Sequence, residues 1–329
     1  MNVLITGITG SGGSYLAEYI LENHPHVKVF GLHRWHSAGT LVNIEHIKDR
    51  ITILECDLLD LSSVIRALQI SKPERIFHLA AYANVRKCFD TPLAVINNNI
   101  MGTANLLEGI RLTCPQAVIQ MCSTSEVYGN PQTFPMTEDH PLKPVNPYSV
   151  SKLTQEALAF AYHKSWGLKV IITRMFAYIN PRRQDLFAST FAKQIVEIEQ
   201  GKRSILKHGN LNSVRTLIDV RDAMESYWVA SEKCVPGEAY NIGGKYIVTV
   251  GEFLDILKQH STKEIHSILD EDLLRPVDVT KQICDTSKFD DLTGWYPKYS
   301  IDESIDFLLN HYRQKADNEA YSFMSGHTA

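Results

Sequence analysis

The sequence has no CxxC pair. Its six cysteines, Cys56, Cys88, Cys114, Cys122, Cys234 and Cys284, are scattered singly. That spacing argues against a disulfide framework and for buried thiols in a reducing cytosol. None of the 13 histidines belongs to an HExxH or similar local pattern, so no metal is expected. No run of about 20 apolar residues exists to span a bilayer. The opening MNVLITG has no charged leader ahead of a long apolar segment. A cytoplasmic protein without a membrane partner is the expectation. Charge of one sign is scarce too: 33 Lys and Arg against 37 Asp and Glu leave a net charge of −4. Such a surface offers nothing general to nucleic acid, although a local basic cleft can still hold a phosphate.

What is present is 329 residues, 44% of them hydrophobic, enough for a sizeable core and about two domains. Short apolar runs at 2–6, 27–32, 51–55, the centre of ERIFHLAA, 117–122 and 169–174 read as strands. Helical periodicity at 14–23, 61–70, 92–112 and 148–166 falls between them. This alternation predicts an α/β fold, a Rossmann-type doubly wound parallel sheet covered on both faces. After Arg174 the pattern loosens into helices near 187–199, 219–232, 249–260 and 302–314, with a short strand at 238–242. The expected division is a dinucleotide-binding domain carrying the catalytic residues, 1–175, and a smaller mixed C-terminal substrate lobe, 176–329. Some segments of the lobe are expected to return to the first domain.

Gly7, Gly10 and Gly13 follow the first strand with GxxGxxG spacing, and Thr9, Ser11 and Gly12 complete the turn. The first glycine permits the turn, the second admits a pyrophosphate, and the third lets helix and sheet pack closely. The helix N-terminus would supply free N–H groups to the phosphates. At the end of the second strand, Arg34 and Ser37 stand where a carboxylate would favour NAD. Both suit a 2′-phosphate, so the pattern favours NADP over NAD. Asp57, with Leu58 beside it, is a candidate for the adenine edge. Leu79, Ala80 and Ala81 would let the backbone lie against the dinucleotide.

Tyr148 and Lys152 stand four apart on a helix and share a face. A nearby ammonium favours phenolate. Moving a tyrosine from about 10 towards 7 needs roughly 4 kcal/mol of differential stabilisation. The pair suits removal of a proton from an alcohol whose carbon gives up hydride. The fifth strand runs into Ser123-Thr124-Ser125-Glu126-Val127-Tyr128-Gly129, at the end that faces the crevice in doubly wound folds. Glu126 is a candidate general base there.

These three motifs resemble the extended short-chain dehydrogenase/reductase superfamily over nearly the whole chain. Within it the sequence is most similar to GDP-mannose 4,6-dehydratases. GITGSGGSYLAEYIL at the start, NIEHI at 43–47 and Asn180-Pro181-Arg182-Arg183 carry that likeness. The resemblance implies that Tyr148 is the base at C4, with Lys152 orienting it and binding the nicotinamide ribose. Thr124 would bind O4, Glu126 would remove the C5 proton, and Ser125 would stand near the departing C6 oxygen. Arg215 and Arg182 would contact the diphosphate of a GDP-sugar, and Arg275 completes the expected substrate-binding set. The implied reaction is redox-neutral: hydride leaves C4, water is lost across C5 and C6, and the hydride returns to C6.

Departures keep other readings open. Gly10-Ser11-Gly12 replaces a usual Gln-Asp pair. Ala177 stands where relatives place an asparagine, and Thr216 where an aspartate follows the arginine. FAKQIVEIEQGK, DVRDAMESYW, LLRP at 273–276 and TGWYP at 293–297 also resemble GDP-4-keto-6-deoxymannose reductases, which makes reduction the alternative. A cofactor-binding protein with a drifted substrate lobe is a third reading, opposed by the intact Thr124, Glu126, Tyr148 and Lys152. The resemblance further implies a homodimer through helices near 92–112 and 148–166, or a tetramer if the 34–43 loop reaches a neighbour.

Overall fold

The computed structural model describes residues 1–34, 41–274 and 279–324. The chain begins with β1 (Asn2–Thr6), α1 (Ser11–Asn23), β2 (Lys28–His33), β3 (Thr52–Glu55), α2 (Leu61–Ser71) and β4 (Arg75–His78). It continues through α3 (Pro92–Ile96), α4 (Gly102–Thr113), β5 (Val118–Thr124), α5 (Pro147–Trp166) and β6 (Lys169–Met175). One π-helical turn, Asn97–Met101, joins α3 to α4, so the helix expected over 92–112 is continuous but locally widened.

The remaining elements are β7 (Ala177–Ile179), α6 (Phe187–Glu199), β8 (Leu206–His208), β9 (Val214–Asp219), α7 (Val220–Lys233) and β10 (Ala239–Ile242). They are followed by β11 (Tyr246–Thr249), α8 (Val250–Gln259), β12 (Ser267–Leu269), β13 (Lys281–Gln282), α9 (Ser287–Thr293) and α10 (Ile301–Met324). The last helix runs well past the 302–314 span expected from the sequence, with Ala316 still buried in the core.

The main sheet is the expected doubly wound one: seven strands in the order β10-β6-β5-β4-β1-β2-β3, parallel throughout. Successive residues of β1 serve opposite faces, as strand geometry requires. Val3 and Ile5 pack with Leu16 and Ile20 of α1 and Tyr227 and Trp228 of α7. Leu4 packs with Val64 and Leu68 of α2, Leu106 and Leu107 of α4, and Ala159 of α5. Two cores, one on each face, leave the strand ends as the place for a ligand. The order reverses between β1 and β4, which opens a crevice at their carboxyl ends.

A second body stands over that crevice. β9 pairs antiparallel with β11 and parallel with β7 and β13, while β8 pairs with β12. Its core joins α6, α8 and α10 through Phe191, Ile195, Phe253, Leu257, Leu308 and Leu309. Among the described residues no helix is long and apolar enough to cross a membrane.

Candidate active site

The glycine turn forms one wall. Gly7 has φ +71, and a Cβ there would lie 2.9 Å from the Cα of Ala80. A Cβ on Gly13 would lie 2.3 Å from the Gly7 carbonyl oxygen. Both glycines are therefore required for β1, α1 and the end of β4 to meet. Gly12 differs: its nearest neighbours would be Leu79 Cδ2 at 3.3 Å and the Tyr178 hydroxyl at 3.6 Å. Gly10 caps α1 without a side-chain hydrogen bond, and no acidic residue occupies the first turn. An uncapped helix start with glycine backbone facing a cavity fits the pyrophosphate of a dinucleotide.

The cavity is about 710 Å³ and lies between the strand ends and the second body. Gly7, Gly10, Ser11, Gly12 and Gly13 line it, as do Leu79 and Ala81. Thr124, Ser125, Glu126, Tyr148 and Lys152 form the facing wall, and Arg215 enters from β9. Six expected residues lie outside that wall: Arg34, Thr9, Asp57, Leu58, Ala80 and Arg182. The Thr9 carbonyl accepts the Asn43 amide at 2.9 Å. Asp57 accepts the Leu59 N–H at 3.0 Å, and the Leu58 carbonyl takes the Asn105 amide at 2.8 Å. The Ala80 N–H donates to the Thr6 hydroxyl at 3.1 Å. Arg182 donates to Ser14 at 2.9 Å, pairs with Glu18 at 2.7 Å and stacks on Tyr15, which spends its charge on α1. Ser37 and Arg275 lie outside the described residues.

The catalytic candidates are held by local geometry. Thr124 caps the 3-10 turn 125–128 by accepting the Glu126 N–H at 3.3 Å. Asn146 caps α5 and donates its amide to Glu126 Oε2 at 3.1 Å. Tyr148 and Lys152 follow on the first turns of that helix, both buried. The Lys152 ammonium donates to the Cys122 carbonyl at 2.6 Å. Here the structure departs from the i, i+4 argument. Burial pushes the Tyr148 phenol above its ordinary value, and the largest opposing influence is Arg183 rather than Lys152. Burial likewise pushes Lys152 down.

Arg183 is visible in the sequence only as part of a family likeness. It donates to the Ala83 carbonyl at 2.6 Å and pairs with Asp185, and Tyr178 lines the same cavity wall. Nothing in the string separates it from Arg182, its neighbour. A second group that sequence reasoning missed lies beneath the site. Buried Asn99, in the π turn, binds the Tyr82 N–H, the Ser151 hydroxyl and, through its carbonyl, Gln155. Thr216, where relatives carry an aspartate, holds the second body together. Its hydroxyl donates to the Gln282 carbonyl at 3.3 Å and accepts the Cys284 N–H at 3.0 Å.

The family model described as GDP-mannose 4,6 dehydratase matches residues 4–307. The chain is 29% identical to GDP-mannose 4,6-dehydratase of Yersinia enterocolitica, covering 96% of this chain and 95% of that one. It is 25% identical to GDP-6-deoxy-D-mannose reductase of Pseudomonas aeruginosa, covering 96% and 99%. Among solved structures, dTDP-glucose 4,6-dehydratase of Bacillus anthracis with NAD is 25% identical at a TM-score of 0.83, covering 96% and 98%. RMD from Pseudomonas aeruginosa with NADPH has a TM-score of 0.83 at 23% identity, covering 96% and 100%, and so attests the fold alone.

These comparisons correct the preference for NADP. Epimerases of Bacillus cereus and Thermus thermophilus, each 26% identical with TM-scores of 0.85 and 0.84, also hold NAD. NAD therefore stands at least level with NADP. Arg34 itself stands against Tyr82. Both terminal nitrogens of Arg34 lie 3.3 Å from the Tyr82 hydroxyl, and its guanidinium lies 5.8 Å from that ring's centre. A neutral phenol leaves the guanidinium its charge, so it is the NAD-bound relatives that overturn the preference for NADP. The chain belongs to the GDP-mannose 4,6-dehydratase family and is an extended short-chain dehydrogenase/reductase enzyme that acts on nucleotide sugars.

Proposed function

We propose that the protein is a nucleotide-sugar 4,6-dehydratase acting on GDP-mannose or a close GDP-sugar. The observation that carries this reading is Glu126. Its carboxylate is held by Asn146 in the same cavity wall as Thr124, Tyr148 and Lys152. A simple hydride exchange at C4 needs the tyrosine and lysine; loss of water from C5 and C6 also needs a base for C5. A nicotinamide dinucleotide, when bound at the Gly7–Gly13 turn, supplies the acceptor and later the donor of hydride. Tyr148 takes the C4 hydroxyl proton, with Arg183 and Lys152 favouring the phenolate. Thr124 orients O4. Glu126 removes the C5 proton and delivers it to the C6 oxygen, which lies beside Ser125 and leaves as water. Arg215 binds the diphosphate from the second body.

The same proposal takes residues 1–175 as the dinucleotide-binding and chemical part and 176–329 as mainly the sugar-nucleotide part. It also includes self-association through α3–α4 and α5, and a cytoplasmic setting, in keeping with scattered cysteines. Reduction of a GDP-4-keto-6-deoxy sugar is the second reading, favoured by the reductase relative of nearly equal length.

The test offers GDP-mannose, GDP-heptose, UDP-GlcNAc, CDP-glucose and dTDP-glucose with no added reduced cofactor. Mass loss of one water from the GDP-sugar is expected. No loss from any sugar, with oxidation of added NADH or NADPH by a 4-keto sugar nucleotide, would establish the reductase instead. Glu126→Gln should abolish water loss, by about 10²-fold or more for a lost general base, while dinucleotide affinity is kept. Full activity in that variant would sink the assigned base.

A further inference from the structure

Strand register in the second body places four residues on one face. Gln282 of β13 stands opposite Arg215 of β9, and Ala177 of β7 stands opposite Leu217. Residues two apart on a strand point to the same side, and all four line the cavity. Ala177 and Leu217 make this part of the wall apolar. Arg215 contributes a cation, and Gln282 contributes an amide.

That amide is incompletely used by the protein. Gln282 is 3% exposed, and its Nε2 is screened from solvent with no hydrogen-bond partner among the described residues. The backbone beneath it is anchored, since Thr216 binds both the Gln282 carbonyl and the Cys284 N–H. Burying an amide donor without an acceptor is costly, and such groups in folded proteins call for a specific explanation. The terminal torsion of a glutamine is soft, so the amide can turn its N–H towards an acceptor that enters the cavity.

We infer that Gln282 is a substrate-recognition residue whose amide donates to an oxygen of a nucleoside diphosphate held beside Arg215. The inference rests on the cavity being a sugar-nucleotide site. The position of Gln282 on β13, opposite Arg215 with its guanidinium, favours a phosphate oxygen over a sugar hydroxyl. Guanidinium groups match phosphate by charge and fork geometry. A neutral amide beside one adds a donor without adding repulsion between cations. Binding then makes a hydrogen bond that the ligand-free protein lacks, so the residue contributes to affinity rather than to stability.

Calorimetric titration of NAD-loaded protein with GDP, UDP and guanosine tests this. Gln282→Leu should weaken GDP and UDP binding about tenfold, the effect of one hydrogen bond to a charged oxygen. Gln282→Glu keeps the shape and should weaken both further through like charge. Guanosine and NAD affinities of the leucine variant should stay at wild-type values. Its thermal midpoint should equal or exceed that of wild type, because a buried donor without an acceptor is removed. Unchanged GDP affinity in either folded variant would overturn the inference, as would an equal loss for guanosine. Wild-type protein that binds neither GDP nor UDP would overturn it together with the sugar-nucleotide reading. Failure of water loss alone, with GDP binding weakened as stated, would sink only the dehydratase.

Discussion

His78 is fully buried at the end of β4, and its hydrogen bonds define its proton. Thr103 spends its own hydroxyl proton on the Asn99 carbonyl at 2.7 Å, so it accepts from His78 Nε2 at 2.9 Å. Nδ1 then accepts from Thr6, whose hydroxyl in turn takes the Ala80 N–H. A neutral ring thus ties β1, β4 and α4 together under the cofactor crevice. Burial, aided by Lys152, lowers its pKa to about 3 from an ordinary 6.5. The unfolded chain therefore binds the proton first. The stabilisation is complete above pH 6.5 and is lost as pH falls from there towards 3, by up to about 1.4 kcal/mol per unit. Urea midpoints measured between pH 6.5 and 5 should fall less steeply for His78→Gln than for wild type. An unchanged slope would remove His78 from that role. The sequence shows a histidine in HLAA, but the lowered pKa comes from neighbours it does not identify.

Among the elements, α5 links stability to chemistry. Its capping box joins Asn146 and Ser149, and the Asn146 amide also reaches Glu126. One residue thus closes the helix and aims the candidate base, while Tyr148 and Lys152 occupy the turns that follow. Asn146→Ala should cost about 1 kcal/mol of stability through the lost cap. It should also lower kcat on the order of tenfold as the carboxylate loses its orientation, with KM largely kept. Equal kcat at equal folded fraction would show that the cap alone matters. The helix and its active face were readable from spacing, because a four-residue interval needs only one element. The π turn at 97–101 was not, because apolar periodicity barely registers one extra residue in a turn. Yet that turn carries Asn99 into the network below the site.

On the scale of the whole molecule, α3–α4 and α5 expose large apolar side chains away from the sheet. Leu93 is 78% exposed, Phe160 50% and Trp166 53%, on helices whose other sides are buried in the core. These exposed apolar side chains are the surface on which the proposed association rests. Sedimentation over a concentration series should show a dimer at micromolar protein and a monomer for Phe160→Glu with an unchanged thermal midpoint. A wild-type chain that stays monomeric throughout would refute association through these helices. The second body was the least legible part of the sequence. Its strands are two to six residues long and pair across long sequence intervals, as β13 does with β9. So short a run has no period to detect.

The sequence by itself determined what lies within one element or one turn: the parallel sheet, the glycine turn, and Tyr148 with Lys152 on one helical face. Only the tertiary structure decided what those groups experience. It sent Arg182 to α1 and Arg183 to the cavity, engaged Arg34 with Tyr82, and set Gln282 beside Arg215. It also reversed the expectation for Tyr148, which burial pushes up and which Arg183 rather than Lys152 chiefly opposes. The reason is physical. Spacing acts through local backbone geometry, whereas desolvation and strand register depend on atoms brought in from distant parts of the chain.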